Sequence, residues 1–253
     1  MIFNVHAGHG AVGKGSIGAV GLLNESIEDR VIKDKVINEL CAMGHTVYDC
    51  TVDTGTQSRI LSNIVKKCNS HKVNLDVSIH FNSGANRYNI DGNTCGTEVY
   101  VYDNSAMKYA QAVASNISSI GFRNRGVKIN KNLKVLRDTV APAMLIEVCF
   151  VDDGDDAQLY RNKINDIAHA IVKGLTQGVA VVKPSAPTNN TRTLVKINVP
   201  SLNIRTGAGI QYNIVGEVHK NEVYTIVGFN GSWGKLKSGA GWINCSTKYV
   251  KYV

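Results

Sequence analysis

The chain has 253 residues, 43% of them hydrophobic and 19% charged, with a net charge of +8 and a mean hydropathy of −0.09. This composition fits a soluble globular protein long enough for two domains, and it excludes a disordered chain. No apolar run approaches the roughly 20 residues that cross a bilayer, which excludes a membrane-spanning helix; the six scattered cysteines form no C-x-x-C pair, so reduced thiols are expected.

The chain opens on the apolar run Ile2-Phe3-Asn4-Val5 with no basic, apolar leader before it. No signal peptide is therefore expected, and the protein is expected to start out in the cytoplasm. Strand-like runs over residues 2–5, 46–50, 75–79, 97–102 and 143–148 alternate with helix-like stretches over 27–43, 58–69, 105–120 and 157–174. In the first helix Ile27, Val31, Val36, Ile37 and Leu40 form an apolar side. The alternation predicts an α/β domain with a twisted, mostly parallel sheet flanked by helices.

The run Lys183-Pro-Ser-Ala-Pro-Thr-Asn-Asn-Thr-Arg192 holds two of the four prolines and has no hydrophobic period. It reads as an interdomain linker. The predicted organisation is a first domain over residues 1–177, a linker over 178–192 and a small domain over 193–253. In the last part, short β-like pieces (195–199, 202–205, 214–218, 222–229, 233–237 and 241–243) are separated by glycine and asparagine turns, as in a small all-β barrel or sandwich. Residues 184–253 carry eight of the 28 Lys/Arg but only Glu217 and Glu222 of the 20 acidic residues, so most of the basic excess sits there. That excess suits a polyanion. With no DNA- or RNA-binding motif beside it, nucleic acid is not the expected partner.

Four residues carry candidate chemistry. His9 lies between Gly8 and Gly10, Glu25 opens a helix, His80 ends the run Asp76-Val77-Ser78-Ile79-His80, and Glu147 sits inside Met144-Leu145-Ile146-Glu147-Val148-Cys149-Phe150. Taken singly, His9 reads as a turn residue, Glu25 as a carboxylate complementing a helix dipole, and His80 as a core histidine. Glu147 is harder to dismiss, because burying an unpaired carboxylate costs on the order of several kcal/mol. His9, His80 and Glu147 all fall at or just past strand ends, where open α/β sheets bind ligands. Two His and one Glu with an open fourth position is a ligand set of catalytic zinc, and a desolvated glutamate suits general-base work.

These residues resemble the zinc-dependent N-acetylmuramoyl-L-alanine amidases of the amidase-3 type, found in bacterial autolysins and phage endolysins. The matching stretches are Ala7-Gly8-His9-Gly10, Gly18-Ala-Val-Gly-Leu-Leu-Asn-Glu-Ser26, Ser78-Ile79-His80-Phe81-Asn82, Gly96-Thr97-Glu98-Val99-Tyr100, Arg125-Gly126-Val127-Lys128, Val135-Leu136-Arg137 and Pro142-Ala-Met-Leu-Ile-Glu147. The resemblance implies one Zn2+ held by His9, Glu25 and His80, with Glu147 as catalytic acid/base. The bond cut would be the amide between N-acetylmuramic acid and the L-alanine of the stem peptide. Arg137 and Asn82 are candidate substrate contacts. Position 6 departs from the family in being His rather than Asp or Asn; it is expected to be a polar strand-end residue. Cys149 stands where the family commonly has glycine, and is expected on the face of Glu147, narrowing the pocket.

The last domain resembles a bacterial SH3 (SH3b) domain through Leu202-Asn-Ile-Arg-Thr-Gly-Ala-Gly209, Tyr212, Gly231-Ser-Trp-Gly-Lys-Leu236 and Gly239-Ala-Gly-Trp-Ile243. This implies cell-wall targeting. Trp233 and Trp242 are candidate ligand contacts, with a role as core residues as the alternative. The expected function is therefore a peptidoglycan hydrolase of the phage-endolysin kind. It would be held in the host cytoplasm until lysis, then act on the wall polymer without inserting into the membrane. The alternatives are another zinc wall hydrolase (a deacetylase or peptidase) and an inactive wall-binding protein.

Overall fold

The computed structural model describes residues 1–176, 193–210, 212–230, 232–246 and 248–253. The chain divides into two compact units, Met1–Val181 and Val182–Val253. The linker expected over 178–192 lies outside the described residues.

The first unit is a six-stranded sheet built from β1 (Ile2–Ala7), β2 (Thr46–Asp49), β3 (Leu75–Asn82), β4 (Thr97–Val101), β5 (Asn124–Ile129) and β6 (Ala143–Phe150). Their order is β2-β1-β3-β6-β4-β5. β2, β1, β3 and β6 run parallel, whereas β4 is antiparallel to β6 and parallel to β5. The sheet is thus mostly parallel, with a reversed pair at one edge. The helices are α1 (Glu25–Ala42), α2 (Gln57–Asn69), α3 (Met107–Ser118), the single turn α4 (Lys134–Arg137) and α5 (Gly154–Leu175).

Alternation along the strands divides the side chains between two faces. Phe3, Val5, Val77, Ile79, Phe81, Val99, Met144 and Ile146 join Ile32, Val36 and Leu40 of α1, Val113 and Ile117 of α3, and Tyr160, Ile167 and Ile171 of α5 in the larger core. The opposite face packs Ala143 and Leu145 against Ile60, Ile64 and Cys68 of α2 and Val135 and Leu136 of α4. This second cover is short, so polar side chains of the same face, His80 and Glu147 among them, continue beyond it toward the strand ends.

A run of aspartates at the start of α5 fixes the long connection before β4. Asp152 accepts from the backbone N–H groups of Gly84, Ala85 and Asn86, and Asp155 from those of Asp91, Gly92 and Asn93. Asp156 accepts from Gly96 and Phe150, and Asp153 caps the helix by accepting from Asp156 N–H. Backbone donors without a ladder partner are thereby satisfied.

The second unit contains seven antiparallel strands: β7 (Thr193–Ile197), β8 (Ser201–Arg205), β9 (Ile214–His219), β10 (Val223–Asn230), β11 (Trp233–Leu236), β12 (Trp242–Asn244) and β13 (Val250–Tyr252). They are ordered β13-β7-β10-β11-β12-β8-β9. Val195, Ile197, Ile204, Val218, Ile226, Leu236, Ile243, Cys245 and Val250 form its core. Trp233 and Trp242 stand outside this buried set, each half-buried. Among the described residues, no helix is long and apolar enough to cross a membrane.

Candidate metal and catalytic site

The site grows from the ends of β1 and β3 and the first residue of α1. Asn24 has an extended backbone and its side chain does not cap the helix, so Glu25 supplies first-turn charge. Its carboxylate is turned inward. Oε2 accepts from Ala19 N–H at 2.8 Å and Oε1 from Phe81 N–H at 3.1 Å. The same Oε1 lies 3.2 Å from His9 Nε2 and 3.0 Å from His80 Nδ1. The two imidazoles meet edge to face with centroids 5.0 Å apart. One ligand atom from each of His9, Glu25 and His80 fits within 4.8 Å of the others.

Glycine makes this convergence possible. A Cβ on Gly8 would overlap the His80 ring, and one on Gly18 would run into the Glu25 carboxylate. α1 also holds the His9 turn from outside. Asp29 Oδ2 accepts from His9 N–H at 3.4 Å, and Arg30 Nη2 donates to the His9 carbonyl at 2.8 Å while Nη1 donates to Asp29 at 3.0 Å.

Glu147 lies on β6 directly beside His80 of β3, since the two are register partners. Burial pushes its carboxyl up to about 7; His80 opposes the rise, and Glu25 and Glu98 add to it. Burial also disfavours charge on Glu25, yet the hydrogen bonds from His80 and His9 hold that carboxylate well below the usual range. His80, penalised by burial, is raised by its bond to Glu25 and by the nearby charges of Glu147, Glu25 and Asp29. Among the described residues, His80 Nε2 and Glu147 Oε2 are buried with no hydrogen-bond partner. Two imidazoles crowded onto one carboxylate oxygen, with polar atoms orphaned beside them, fit a divalent cation well. Next to this donor set is a cavity of about 210 Å3, walled by Ile60 and Leu61 of α2, Leu133 and Val135 near α4, and Leu145.

The other expected residues are spread out. Asn82, on the same face as His80, has its amide engaged: Nδ2 donates to Glu98 at 2.8 Å and Oδ1 accepts from Ser83 N–H. Arg137 is exposed and paired with Asp138 at 2.7 Å, whereas Lys134 of the same turn lines the cavity. Trp233 and Trp242 belong to the second unit, on the adjacent strands β11 and β12. His6 is buried, with Nδ1 3.1 Å from the Ala7 carbonyl, and burial lowers it to about 4. It stands outside the donor set. Cys149 does not share the face of Glu147. Between His80↔Glu147 and Asn82↔Phe150 the β6 strand carries one extra residue, a bulge, and Cys149 turns into the larger core.

One constellation was not anticipated. Glu98 of β4 is the register partner of Glu147 on the side away from His80. It accepts from Asn82, from Tyr100 Oη at 2.6 Å, from Arg125 Nε at 2.9 Å and from Lys128 Nζ. Burial works against its charge, but Lys128, Tyr100 and Arg125 bring it down to about 2. Its signal was in the sequence: Thr97-Glu98-Val99-Tyr100-Val101 is an apolar strand with a carboxylate inside it, like the run around Glu147.

Fold and donor set together suit an α/β hydrolase with a His/Glu/His group that could hold a metal ion. The chain belongs to the N-acetylmuramoyl-L-alanine amidase family, whose model matches residues 4–177, and a bacterial SH3 domain model matches residues 200–251. It is similar to a 38.4 kDa protein of Clostridium perfringens, 32% identical over 241 residues, covering 88% of this chain and 68% of that one. It also aligns with the endolysin of Bacillus phage SPP1 at 28% identity, over 96% of this chain and 95% of the other. Among solved structures it resembles the catalytic domain of CwlV, an N-acetylmuramoyl-L-alanine amidase of Bacillus (Paenibacillus) polymyxa. That match has a TM-score of 0.59 and 27% identity, and covers 71% of this chain and 98% of that one.

Proposed function

We infer that the first domain hydrolyses the amide between the lactyl group of N-acetylmuramic acid and L-alanine, using one Zn2+ held by His9, Glu25 and His80. The second domain keeps it on the wall polymer, and the whole acts as a phage-type endolysin. The observation that carries this reading is the Glu25 carboxylate held between two imidazoles, with Glu147 beside His80 and its Oε2 buried without a partner among the described residues. Alignment with a phage endolysin along nearly the full length of both chains supports the endolysin role.

Held by His9, Glu25 and His80, zinc would supply Lewis acidity toward a carbonyl and would make water a stronger acid. Glu147 moves the proton: its buried carboxyl, at about 7, takes one from the attacking water and returns it to the leaving alanine nitrogen. Glu25 is held in place by Ala19 and Phe81 N–H, and His9 by Asp29 and Arg30, so the ligands need little reorganisation. The apolar wall of Ile60, Leu61 and Leu145 excludes water from one side of the reacting group.

Product analysis on purified sacculi tests the reading. New L-alanine amino termini without new reducing sugars are expected, lost with chelator and restored by zinc. Reducing ends, or acetate release without new amino termini, would assign a different wall hydrolase.

A further inference from the structure

Beside Glu147, on the side away from the metal ligands, the sheet carries two cations on one buried anion. Glu98 is only 3% exposed at its side chain, while Arg125 and Lys128 are 30% and 44% exposed. Arg125 spends Nε on Glu98 and makes one long contact, at 3.5 Å, from Nη1 to the Cys95 carbonyl. Among the described residues Nη2 has no acceptor, and Lys128 Nζ is engaged only by Glu98. The cluster therefore keeps a net positive charge, with unused donors on two partly exposed side chains. It is also preorganised: the guanidinium lies over the Phe150 ring at 4.9 Å and the ammonium over the Tyr100 ring at 5.7 Å.

We propose that Arg125 and Lys128 form an anion-binding subsite that takes the first free carboxylate of the substrate peptide beyond its alanine. This rests on the amidase reading above. The spacing supports it. Both cations converge on Glu98, so their charge sits above β4, the strand next to the β6 strand of Glu147. Adjacent strands are about 4.8 Å apart, and an extended peptide advances about 3.3–3.6 Å per residue. With the leaving nitrogen at Glu147 and the peptide crossing the strands toward β5, a carboxylate on the next residue would come within reach of the cations over β4. A planar fork beside an ammonium suits a carboxylate, whereas a neutral carboxamide in the same place forfeits the charge-assisted bonds. Within the first unit's sheet β5 is the edge strand, so among the described residues of that unit no further strand follows it.

The test uses the full-length, zinc-loaded chain and two synthetic muramyl peptides that differ only at the second peptide residue, D-isoglutamate or D-isoglutamine. Release of L-alanine amino termini gives kcat/KM for each. The acid is expected to be cut about tenfold or more faster than the amide, as for loss of a charge-assisted hydrogen bond. Arg125→Gln and Lys128→Gln should bring that ratio toward one. Lys131→Gln, which removes an exposed charge outside the cluster, should keep it. If Arg125→Gln fails to fold, Lys128→Gln alone gives the same readout. A wild-type ratio near one, or variants that slow both peptides while the ratio holds, overturns the subsite and leaves the two cations as struts for Glu98. If both peptides are cut at the lactyl–alanine amide without preference, only the subsite falls. If neither is cut, the amidase reading falls with it.

Discussion

Glu98 and Glu147 are register partners across the antiparallel β4–β6 pair, yet their environments drive them apart. Glu98, despite its burial, is drawn down to about 2 by Lys128, Tyr100 and Arg125. Glu147, with no such partners, is pushed up by burial to about 7. Two neighbouring carboxyls thus have opposite tendencies, one held as an anion and one favouring its proton, a pairing that suits acid–base chemistry near neutral pH.

Metal removal should separate catalysis from binding. Chelated full-length protein is expected to lose hydrolysis of sacculi while still sedimenting with them, because residues 193–253 contain none of the proposed ligands. Zinc add-back should restore turnover. Loss of sedimentation on chelation would contradict the assignment of wall binding to the second domain.

Asp29 and Arg30 hold His9 through its backbone rather than touching the metal position. Asp29→Asn and Arg30→Gln should therefore weaken zinc about 10–100-fold, the usual range for residues that orient a ligand. Competition with a chromophoric chelator measures this. Unchanged zinc affinity in both variants would show that the His9 turn is held by other means.

Asp76 gives a pH-dependent stability term of known sign. Burial raises its carboxyl to about 6, against a hydrogen bond from Asn4 Nδ2 at 2.5 Å, and among the described residues its Oδ2 is buried without a partner. The folded state therefore binds this proton more tightly than the unfolded state does. Stability from the group is full below about pH 4 and is lost as pH rises through about 6, on the order of 2–3 kcal/mol in all. Asp76→Asn should accordingly raise the unfolding midpoint at pH 7.5 and give no such gain at pH 4. Denaturant melts at the two pH values decide it, and an equal shift at both would remove the titration from the explanation.

Much of the site was legible because its residues break local patterns. A carboxylate within an apolar strand marked Glu147, and the glycines around His9 marked a tight turn. The same rule applied to Thr97–Val101 would have found Glu98. Other features depend on information that no short window holds. Strand alternation places Cys149 beside Glu147, but one extra residue in β6 sends it to the other face. β5, Asn-Arg-Gly-Val-Lys-Ile, has too few apolar residues to read as a strand, and its cations meet Glu98 only because β5 pairs with β4. α4 is a single turn, too short for any helical period. The aspartates that pin the segment before β4 bond to residues about 60–70 positions away, a pairing set by the fold.

The proposed mechanism has Glu147 carry the proton for a reaction at a metal held by His9, Glu25 and His80. Its most direct test is Glu147→Gln in the full-length chain, read by metal analysis and by release of L-alanine amino termini from sacculi. The variant should retain one zinc per chain and lose about 10²–10⁴-fold in turnover, the range for a general acid–base group. Hydrolysis at the wild-type rate with zinc in place would contradict the account.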